Sequence, residues 1–537
     1  MRYYTKYSDD THSMKRPTIP YNVFLTALCA LFLMPLISCK KEIPVEQEPN
    51  NTFAAANPLK LDFPIRGMLA TRDDIDYYSF DVDLPVILDI QLSPVRGINH
   101  AIQIWRGGDT PVLLKLVDDM RKSSPERMCN FYAEGGRYYI AVLHGDRDAP
   151  RPNQENYYTL EVKSRNPGEE EREPNDSAAS ANTLILERDI TGYFSPAYNR
   201  LNREGENPQR EEDWYMVTID LPEQRAKLLD VTLSGVPGVN STLSLFDAAL
   251  TRIAYADANG AGEGEMLKDV GITAEGRYSI MVASKSFESN NDASYTLTAK
   301  IRDYESGGEM EPNNDIDKAN LMTGSEISGC IYPQDDVDYY SYKAAAPAQY
   351  RIELTPPQTM DAVVTVYRAN REKAWEIDNG GAGVREVMPN LPLRGDFFIR
   401  IAAKGVFSDG NAAYLLRIEP LAPSDSCEYE PNDTKEHANP LTRPSVTGYT
   451  SKKGDRDYYL LEYKKRTSVS ISLKGVRDGA LRVSITDPLG YILQSRDVRG
   501  DSTAVFTDMV DQKGYVIIDA VSENYDEPYT LQVREVK

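Results

Sequence analysis

The chain has 537 residues, with 82 acidic against 60 basic side chains, a formal net charge of −22 and a pI of about 4.8. A surface with this charge repels nucleic acid and anionic lipid headgroups, so the composition argues against a nucleic-acid partner. The length exceeds that of one ordinary domain, and several domains are therefore expected.

The N-terminal segment, residues 1–39, is predicted to be a lipoprotein signal peptide. A basic pair precedes an apolar run over residues 22–34, which is the order of an n-region and an h-region. The run is followed by Leu36-Ile37-Ser38-Cys39, which resembles a bacterial lipobox, in which the cysteine is acylated and becomes the mature N-terminus. An uncleaved membrane anchor is the alternative, but it needs about 20 apolar residues, and Pro35 interrupts this run.

The lipoprotein interpretation predicts where the protein is located. We expect the protein in the bacterial cell envelope, attached to the membrane through a lipid on Cys39, with residues 40–45 as a tether. The outer membrane is the expected location, and both its periplasmic and its surface face stay open.

Beyond the tether, the chain repeats four times with a period of roughly 120 to 140 residues, which is a domain length rather than a solenoid length. Each repeat opens with a Glu-x-Glu-Pro-Asn segment and continues into an acidic cluster before an aromatic pair. The four openings are EQEPNNTFAAAN, EREPNDSAASAN, EMEPNNDIDKAN and EYEPNDTKEHAN. The four clusters are DDIDYYSF, EEDWYMV, DDVDYYSY and GDRDYYLL.

Between these motifs the sequence predicts strand after strand. Apolar and polar residues alternate over short runs, with Gly, Pro, Asp and Asn between them, as in residues 78–82, 87–92, 101–105 and 158–162. Every repeat closes with a Gly-aromatic strand and then a Tyr-x-Leu strand, for example at Gly136 and Tyr158. Short strands at roughly 10-residue spacing indicate a sandwich in each repeat.

The order of Glu-Pro-Asn, Asp-Tyr-Tyr, Gly-aromatic and Tyr-x-Leu motifs resembles the bacterial pre-peptidase C-terminal domains, which include the collagen-binding domains of clostridial collagenases. The resemblance covers residues 46–537. Together with the strand pattern, it predicts an all-β protein of four tandem antiparallel β-sandwich domains of jelly-roll type. The predicted domains are residues 46–165, 171–302, 309–420 and 427–537.

The acidic motifs of the third repeat suggest a metal site on chemical grounds. Pro312 favours an extended chain, so Glu309, Glu311 and Asn313 would share one face. The acidic residues 335–338 precede a strand and offer further carboxylates. Calcium takes six to eight oxygen ligands and tolerates irregular geometry. Ordinary turn chemistry is the alternative, since Asp and Asn are common before strands.

The resemblance favours calcium, because it implies that the opening segment and the acidic cluster bind the ion together, as in the collagen-binding members. Carried over by position, the implied ligands of the third repeat are Glu309, Glu311, Asn313, Asn314, Asp335 and Asp338. Those of the first repeat are Glu46, Glu48, Asn50, Asn51, Asp73 and Asp76.

The second and fourth repeats depart from this pattern, and the sequence leaves their sites in doubt. The second repeat has Arg210 where the earlier aspartate of the pair is expected, with Glu211 and Glu212 as candidate substitutes. The fourth has Gly454 there, and Asp455 could serve only if the loop shifts. The ligands that remain in the second repeat are Glu171, Glu173, Asn175, Asp176 and Asp213. Those that remain in the fourth are Glu428, Glu430, Asn432, Asp433 and Asp457.

Two further features have alternative interpretations. The doubled tyrosines could form a platform for carbohydrate or collagen, or pack with their hydroxyls on backbone partners. The charged insertion of residues 195–212 in the second repeat is expected to be an exposed loop. It could carry partner specificity or be neutral.

The sequence gives no indication of catalysis. Neither G-x-S-x-G nor H-E-x-x-H occurs, and the three histidines beyond the signal segment stand at unrelated places in the repeats. We therefore predict a non-catalytic, calcium-binding adhesion protein whose ligand is an extracellular matrix protein, a polysaccharide or another envelope protein. A structural spacer projecting from the membrane, or an accessory partner of a secreted peptidase, is the alternative.

The lipobox generates the first test. Labelled palmitate is expected to enter the wild-type protein in bacterial cells, because Cys39 would supply the acylated N-terminus. The Cys39→Ser variant should take up no label, and Cys29→Ser is the matched control because that cysteine would leave with the signal peptide. Equal labelling of wild type and Cys39→Ser would rule the anchor out.

Overall fold

The computed structural model describes residues 42–118, 122–146, 150–196, 212–286, 288–346, 348–421, 426–450, 454–522 and 524–536. The predicted signal peptide with Cys39 lies outside these residues, and so do residues 197–211 of the inserted loop. Within the described ranges, no helix combines the length and the apolarity that crossing a membrane requires.

Alternation of side chains shapes the strands of the first domain. In β3 (Ile75–Val82), Tyr78, Phe80 and Val82 are buried while Asp81 is exposed, because successive residues of a strand point to opposite faces. The other strands of this domain are β1 (Asn57–Pro58), β2 (Ile65–Gly67), β4 (Val86–Leu92), β5 (His100–Arg106), β6 (Val112–Val117), β7 (Glu126–Ala133), β8 (Gly136–His144) and β9 (Tyr158–Arg165). A 3₁₀ helix, Phe53–Ala55, precedes β1.

Two sheets enclose the core of this domain. One has five strands in the order β1-β3-β8-β5-β6, and the other has four in the order β2-β9-β4-β7. Neighbouring strands pair antiparallel, except that β1 and β3 are parallel. Side chains from both sheets fill the space between them, among them Tyr78, Phe131 and Tyr158, which have no exposed surface.

The same arrangement recurs three more times. The second domain has β10 (Asn182–Thr183), β11 (Asp189–Phe194), β12 (Glu212–Ile219), β13 (Lys227–Leu233), β14 (Ser241–Phe246), β15 (Arg252–Ala256), β16 (Glu265–Ile272), β17 (Gly276–Ser284) and β18 (Asn290–Asp303). The third has β19 (Asn320–Met322), β20 (Glu326–Gly329), β21 (Val337–Tyr342), β22 (Ala348–Thr355), β23 (Ala362–Arg368), β24 (Lys373–Ile377), β25 (Glu386–Leu393), β26 (Phe397–Ala403) and β27 (Tyr414–Leu421). The fourth has β28 (Asn439–Pro440), β29 (Ser445–Thr450), β30 (Arg456–Glu462), β31 (Thr467–Lys474), β32 (Ala480–Thr486), β33 (Ile492–Arg499), β34 (Thr503–Val510), β35 (Lys513–Ala520) and β36 (Asn524–Glu535). Further 3₁₀ helices are Pro222–Gln224, Ile316–Lys318 and Lys435–His437.

The prediction of four tandem β-sandwiches is confirmed, since each domain has a five-stranded and a four-stranded sheet with the same strand order. One detail differs from the predicted antiparallel arrangement. In every five-stranded sheet the short edge strand runs parallel to its neighbour, as β1 does to β3. The last strands of the second and third domains end at Asp303 and Leu421, one residue beyond the predicted limits.

The joints between the first three domains use a bulged edge strand. The register of β7 shifts against β4 at Asn130, and that of β16 against β13 at Asp269, where both residues have positive φ, 59° and 54°. The opening segment of the next domain pairs there. The Glu173 N–H donates to the carbonyl of Asn130 at 3.0 Å, and the Glu311 N–H to that of Asp269 at 2.9 Å. Each sandwich is thereby hydrogen-bonded to the segment that opens the next.

The third joint and the last domain differ from this arrangement. At the joint, Pro392 stands where Gly271 donates its N–H to the carbonyl of Glu311 at 2.7 Å, and proline has no N–H to donate. The side chain of Gln349 donates instead to the carbonyl of Glu428 at 2.7 Å. In the fourth domain β34 pairs with β31 in continuous register, without the bulge of β7, β16 and β25.

Candidate metal centres

Each domain brings three carboxylates together at the point where its opening segment meets the sandwich. Two come from the Glu-x-Glu of the opening and one from the strand that carries the aromatic pair. The four clusters are Glu46, Glu48 and Asp76; Glu171, Glu173 and Asp213; Glu309, Glu311 and Asp338; and Glu428, Glu430 and Asp457. Within each cluster the candidate ligand atoms all lie within 4.8 Å of one another. The opening segment and the acidic cluster thus meet in all four domains.

A clamp holds the opening segment in place. In the first domain, the side chain of Asn57 accepts from the N–H of Gln47 at 2.8 Å and donates to its carbonyl at 3.0 Å. The carbonyl of Asn50 accepts from the N–H of Tyr77 at 3.2 Å, which ties the segment to β3. The same two-point clamp is made by Asn182, Asn320 and Asn439. These asparagines, from the Ala-Asn step at the end of each opening motif, are site residues that the sequence analysis missed.

The first glutamate of each opening is engaged through both oxygens. Glu46 accepts from the N–H of Met68 at 2.5 Å through Oε1 and from the hydroxyl of Tyr78 at 2.6 Å through Oε2. The equivalent glutamates also accept one hydrogen bond from a backbone N–H and one from a tyrosine hydroxyl. These glutamates are Glu171, Glu309 and Glu428. The first glutamate therefore anchors the opening segment to the sandwich.

A chain of hydrogen bonds continues from this glutamate into the core. The hydroxyls of Tyr78 and Tyr158 lie 2.7 Å apart, and Tyr158 donates to Oδ2 of Asp76 at 2.5 Å. The same Glu-Tyr-Tyr-Asp chain occurs through Tyr215 and Tyr295, Tyr340 and Tyr414, and Tyr459 and Tyr529. These tyrosines are fully buried or nearly so, and their partners are carboxylates and each other. The second residue of each aromatic pair in the sequence, such as Tyr78, is thus not available as part of an exposed platform.

A glycine makes room for this chain. A Cβ at Gly329 would collide with the carboxylate of Glu309 and with the hydroxyls of Tyr340 and Tyr414. Gly67, Gly192 and Gly448 occupy the same place in β2, β11 and β29, and a Cβ there would also meet a buried tyrosine hydroxyl. The glycine recurs in every repeat, which is the signal by which the sequence could have revealed it.

Three oxygens remain for a cation in each of the last three domains. The second glutamate accepts the N–H of the following asparagine through Oε2, as Glu311 does from Asn313 at 3.0 Å. Its Oε1, the asparagine Oδ1 and the Oδ1 of the strand aspartate are buried and have no hydrogen-bond partner among the described residues. These atoms belong to Glu173, Asn175, Asp213, Glu311, Asn313, Asp338, Glu430, Asn432 and Asp457. Around the cluster of the first domain, the buried oxygens without a hydrogen-bond partner in the described part of the chain are Oδ1 of Asn50 and Oδ1 of Asp76.

This donor set fits a hard divalent cation. Buried oxygens without a partner are costly, and an ion that takes several carboxylate and amide oxygens would satisfy them together. Calcium fits better than zinc on this chemistry, because zinc sites favour nitrogen and sulfur ligands. The second glutamate, the asparagine and the strand aspartate would hold the ion.

The electrostatics of the clusters point the same way. Burial, and then the charge of Glu46, raises the pKa of Asp76 to about 9. Burial together with the first glutamate likewise raises the pKa of Asp338 and Asp457 well above the ordinary value. Burial, followed by the charge of Asp336, raises the pKa of Glu311 to about 8. A raised pKa favours the protonated form of these carboxyls, and a bound cation would displace their protons.

The structure places some implied ligands outside the clusters. Asp73 and Asp335 are exposed, whereas their neighbours Asp74 and Asp336 are buried beside the cluster. The reason is the turn before the strand, where the carboxylate of Asp336 accepts the N–H of Tyr332 at 3.0 Å and that of Asp74 accepts the N–H of Ala70 at 2.6 Å. Asn51 and Asn314 are also exposed at the rim.

The residue just before the strand also matters in the repeats that depart from the sequence pattern. In the fourth domain Asp455 lies two residues before Asp457, is 1 % exposed, and occupies the place of Asp336. The fourth cluster is therefore built like the third. In the second domain the equivalent position is Glu211, which lies outside the described residues, while Glu171, Glu173 and Asp213 are all buried.

The glycine of the tyrosine chain gives one test. Gly329→Ala should lower the stability of the third domain by about 1–3 kcal/mol, because overpacking forces the buried Glu309 and tyrosine side chains apart. Calorimetry on the full chain would show this as one transition moving to lower temperature. Gly324→Ala, at an open position of the same domain, is the control and should change little. An unchanged melting profile for Gly329→Ala would contradict the packing described above.

The pH dependence of stability gives another. The carboxyls with raised pKa values bind more protons in the folded protein than in the unfolded chain. In the unfolded chain the pKa is near 3.8 for an aspartate and near 4.5 for a glutamate. Their contribution is therefore complete at low pH and is lost as the pH rises towards about 9. In the presence of a chelator the melting temperature should fall across this window, and calcium should reduce the fall. A chelated protein whose melting temperature rises over the same window would contradict the raised pKa values.

No family model matches the chain. Collagenase ColA of Clostridium perfringens is 31% identical over 125 residues, which is 23% of this chain. The match covers 10% of the collagenase, so this chain spans only a small part of that relative's length.

Two solved structures extend the comparison. The pre-peptidase C-terminal domain of a Bacillus anthracis collagenase is 26% identical, and the match covers 20% of this chain and 94% of that domain with a TM-score of 0.17. The BSP domain of a biofilm-associated protein is 10% identical, with 94% and 97% coverage and a TM-score of 0.13. Scores this low do not establish a shared overall fold. What the sequence comparison shows is therefore limited to similarity between one stretch of 125 residues, about the length of one repeat, and part of a clostridial collagenase.

Proposed function

We propose that the clusters bind calcium and that the protein is a non-catalytic, lipid-anchored binding protein of the bacterial envelope. The observation that carries the calcium proposal is the set of buried oxygens without a partner in the Glu-x-Glu-Pro-Asn segment and the following strand. Two to three such oxygens converge in each domain, and calcium is the common cation that accepts this ligand type in an irregular site.

Calcium at these sites would act on the joints between domains. The cluster of the second domain contacts the first domain, where the amide of Asn130 donates to Oε1 of Glu171 at 3.2 Å. At the third joint, the amide of Asn390 in the third domain donates in the same way to Oε1 of Glu428 in the fourth, at 3.4 Å. An ion that ties the opening segment to its own sandwich also fixes the surface on which the previous sandwich rests.

A groove at the first joint offers a place for a ligand. It has a volume of about 660 Å³, within the range of about 300–1,000 Å³ that is usual for binding pockets. Its lining mixes Arg106, Tyr132 and Arg172 with acidic side chains such as Glu134 and Glu169. Such a lining suits a polar ligand. We propose an extracellular protein, an envelope protein or a polysaccharide, and the similarity to a collagenase favours a matrix protein.

A structural spacer is the second candidate function. The backbone hydrogen bonds between β7 and Glu173, and between β16 and Glu311, favour it, because they restrain neighbouring sandwiches. The two functions are compatible, since a restrained joint also holds a ligand groove open. A role beside a secreted peptidase rests on the name of the relative alone.

Calcium titration of the full chain tests the proposal. Asp76→Asn should remove one bound calcium in isothermal titration calorimetry, because it takes a charged ligand from the first cluster. Asp73→Asn is the matched control, since that side chain is exposed and should leave the number of bound ions unchanged. Calcium should also raise the melting temperature of the wild type, by linkage of binding to folding. A wild type with neither heat of binding nor a calcium-dependent melting shift would overturn the proposal.

A further inference from the structure

A lysine of the first domain borders the second cluster. Lys115, on β6 of the first domain, places its Nζ 2.8 Å from Oδ1 of Asp176 and 3.4 Å from Oε2 of Glu173. The side chains of Lys115 and Glu173 are 6% and 0% exposed. An ammonium in so buried a place needs counter-charges, and the opening segment of the second domain supplies them.

The other joints have no charge at this position. Lys115 stands opposite Ile104 in the sheet, and the equivalent residues are Ala254, opposite Leu245, and Trp375, opposite Val366. Ala254 and Trp375 pack against the cores of their own domains. The strand is thus the same at the three joints, and among these three equivalent residues only Lys115 brings an ammonium to the following cluster.

The ammonium and a divalent ion would share one carboxylate of the cluster, that of Glu173. Glu173 offers Oε1 to the interior of the cluster and Oε2 to Lys115, so an ion bound to this glutamate would lie close to the ammonium. Like charges at such a distance in a buried site repel strongly. The charge of Lys115 also acts on Asp213, where it opposes the effect of burial on the pKa.

We propose that Lys115 takes the place of calcium in the second cluster. An internal ion pair then holds the first joint, and a calcium ion from solution occupies each of the other three clusters. The proposal deepens the calcium function proposed above and rests on it for the other three clusters. The first joint then stays in place when calcium is scarce, while the second and third joints respond to it.

Counting bound calcium on the full chain tests this. The wild type should bind three ions, because one of the four clusters carries Lys115. Lys115→Met should bind four, since the unpartnered oxygens of Glu173, Asn175 and Asp213 remain. Lys115→Arg keeps the positive charge and should stay at three. Ala254→Lys should lose one ion by bringing an ammonium to the third cluster.

Melting in a chelator gives a second readout. Lys115→Met should melt at lower temperature than the wild type without calcium and regain the difference when calcium is added. Lys122→Met is the control, because Lys122 pairs with Asp146 at a more exposed place in the same domain. Four ions in both the wild type and Lys115→Met would overturn the role of Lys115.

The readouts separate the two proposals. If no variant binds calcium, the proposed calcium function fails, and the melting comparison in chelator decides whether Lys115 is the counter-ion of the second cluster. A melting temperature for Lys115→Met that equals that of Lys122→Met would then overturn it. A lower one would support the internal ion pair.

Discussion

The structure depends on the hydrogen-bonded chain that runs from the first glutamate of each opening through two buried tyrosine hydroxyls to the strand aspartate. Buried polar groups of this kind are costly unless each has a partner, so the four side chains fix one another. Through Tyr78 and Tyr158 the chain ties Glu46, which lies outside the sandwich, to the core between its sheets. It also holds Asp76 with one oxygen engaged and the other unpartnered, which leaves the cluster suited to a cation.

Local patterns predict much of this architecture. The alternation in β3 and the repeated Glu-x-Glu-Pro-Asn segment indicate the sandwiches and the meeting of opening and strand. The same alternation, applied backwards from Asp338, would have selected Asp336 instead of Asp335. Local sequence patterns cannot predict the hydrogen-bonded tyrosine chain, because Tyr78 and Tyr158 are 80 residues apart in the sequence. Likewise, the sequence around Glu173 does not predict its contact with Lys115, since contacts across a joint depend on how two folded domains pack.

The four domains differ less inside the sandwiches than at the joints. The strand order, the tyrosine chain and the asparagine clamp recur in each. The joints vary by single residues: Lys115 brings a charge to the first, Gly271 donates a backbone N–H at the second, and Pro392 cannot donate one at the third. A constant sandwich with a variable joint lets each connection respond to its surroundings separately, without changes to the packing of the core.

The anchoring of each opening segment also has a mechanical consequence. A pull along the backbone reaches Glu46 or Glu309 before it reaches the sheets, because these residues precede the first strands of their domains. Under load, the side chains of the opening segment would be drawn out of the cluster while the strands stay paired. The hydrogen bonds of these glutamates to the sandwich would therefore carry a load on the chain before the strands of the same domain do.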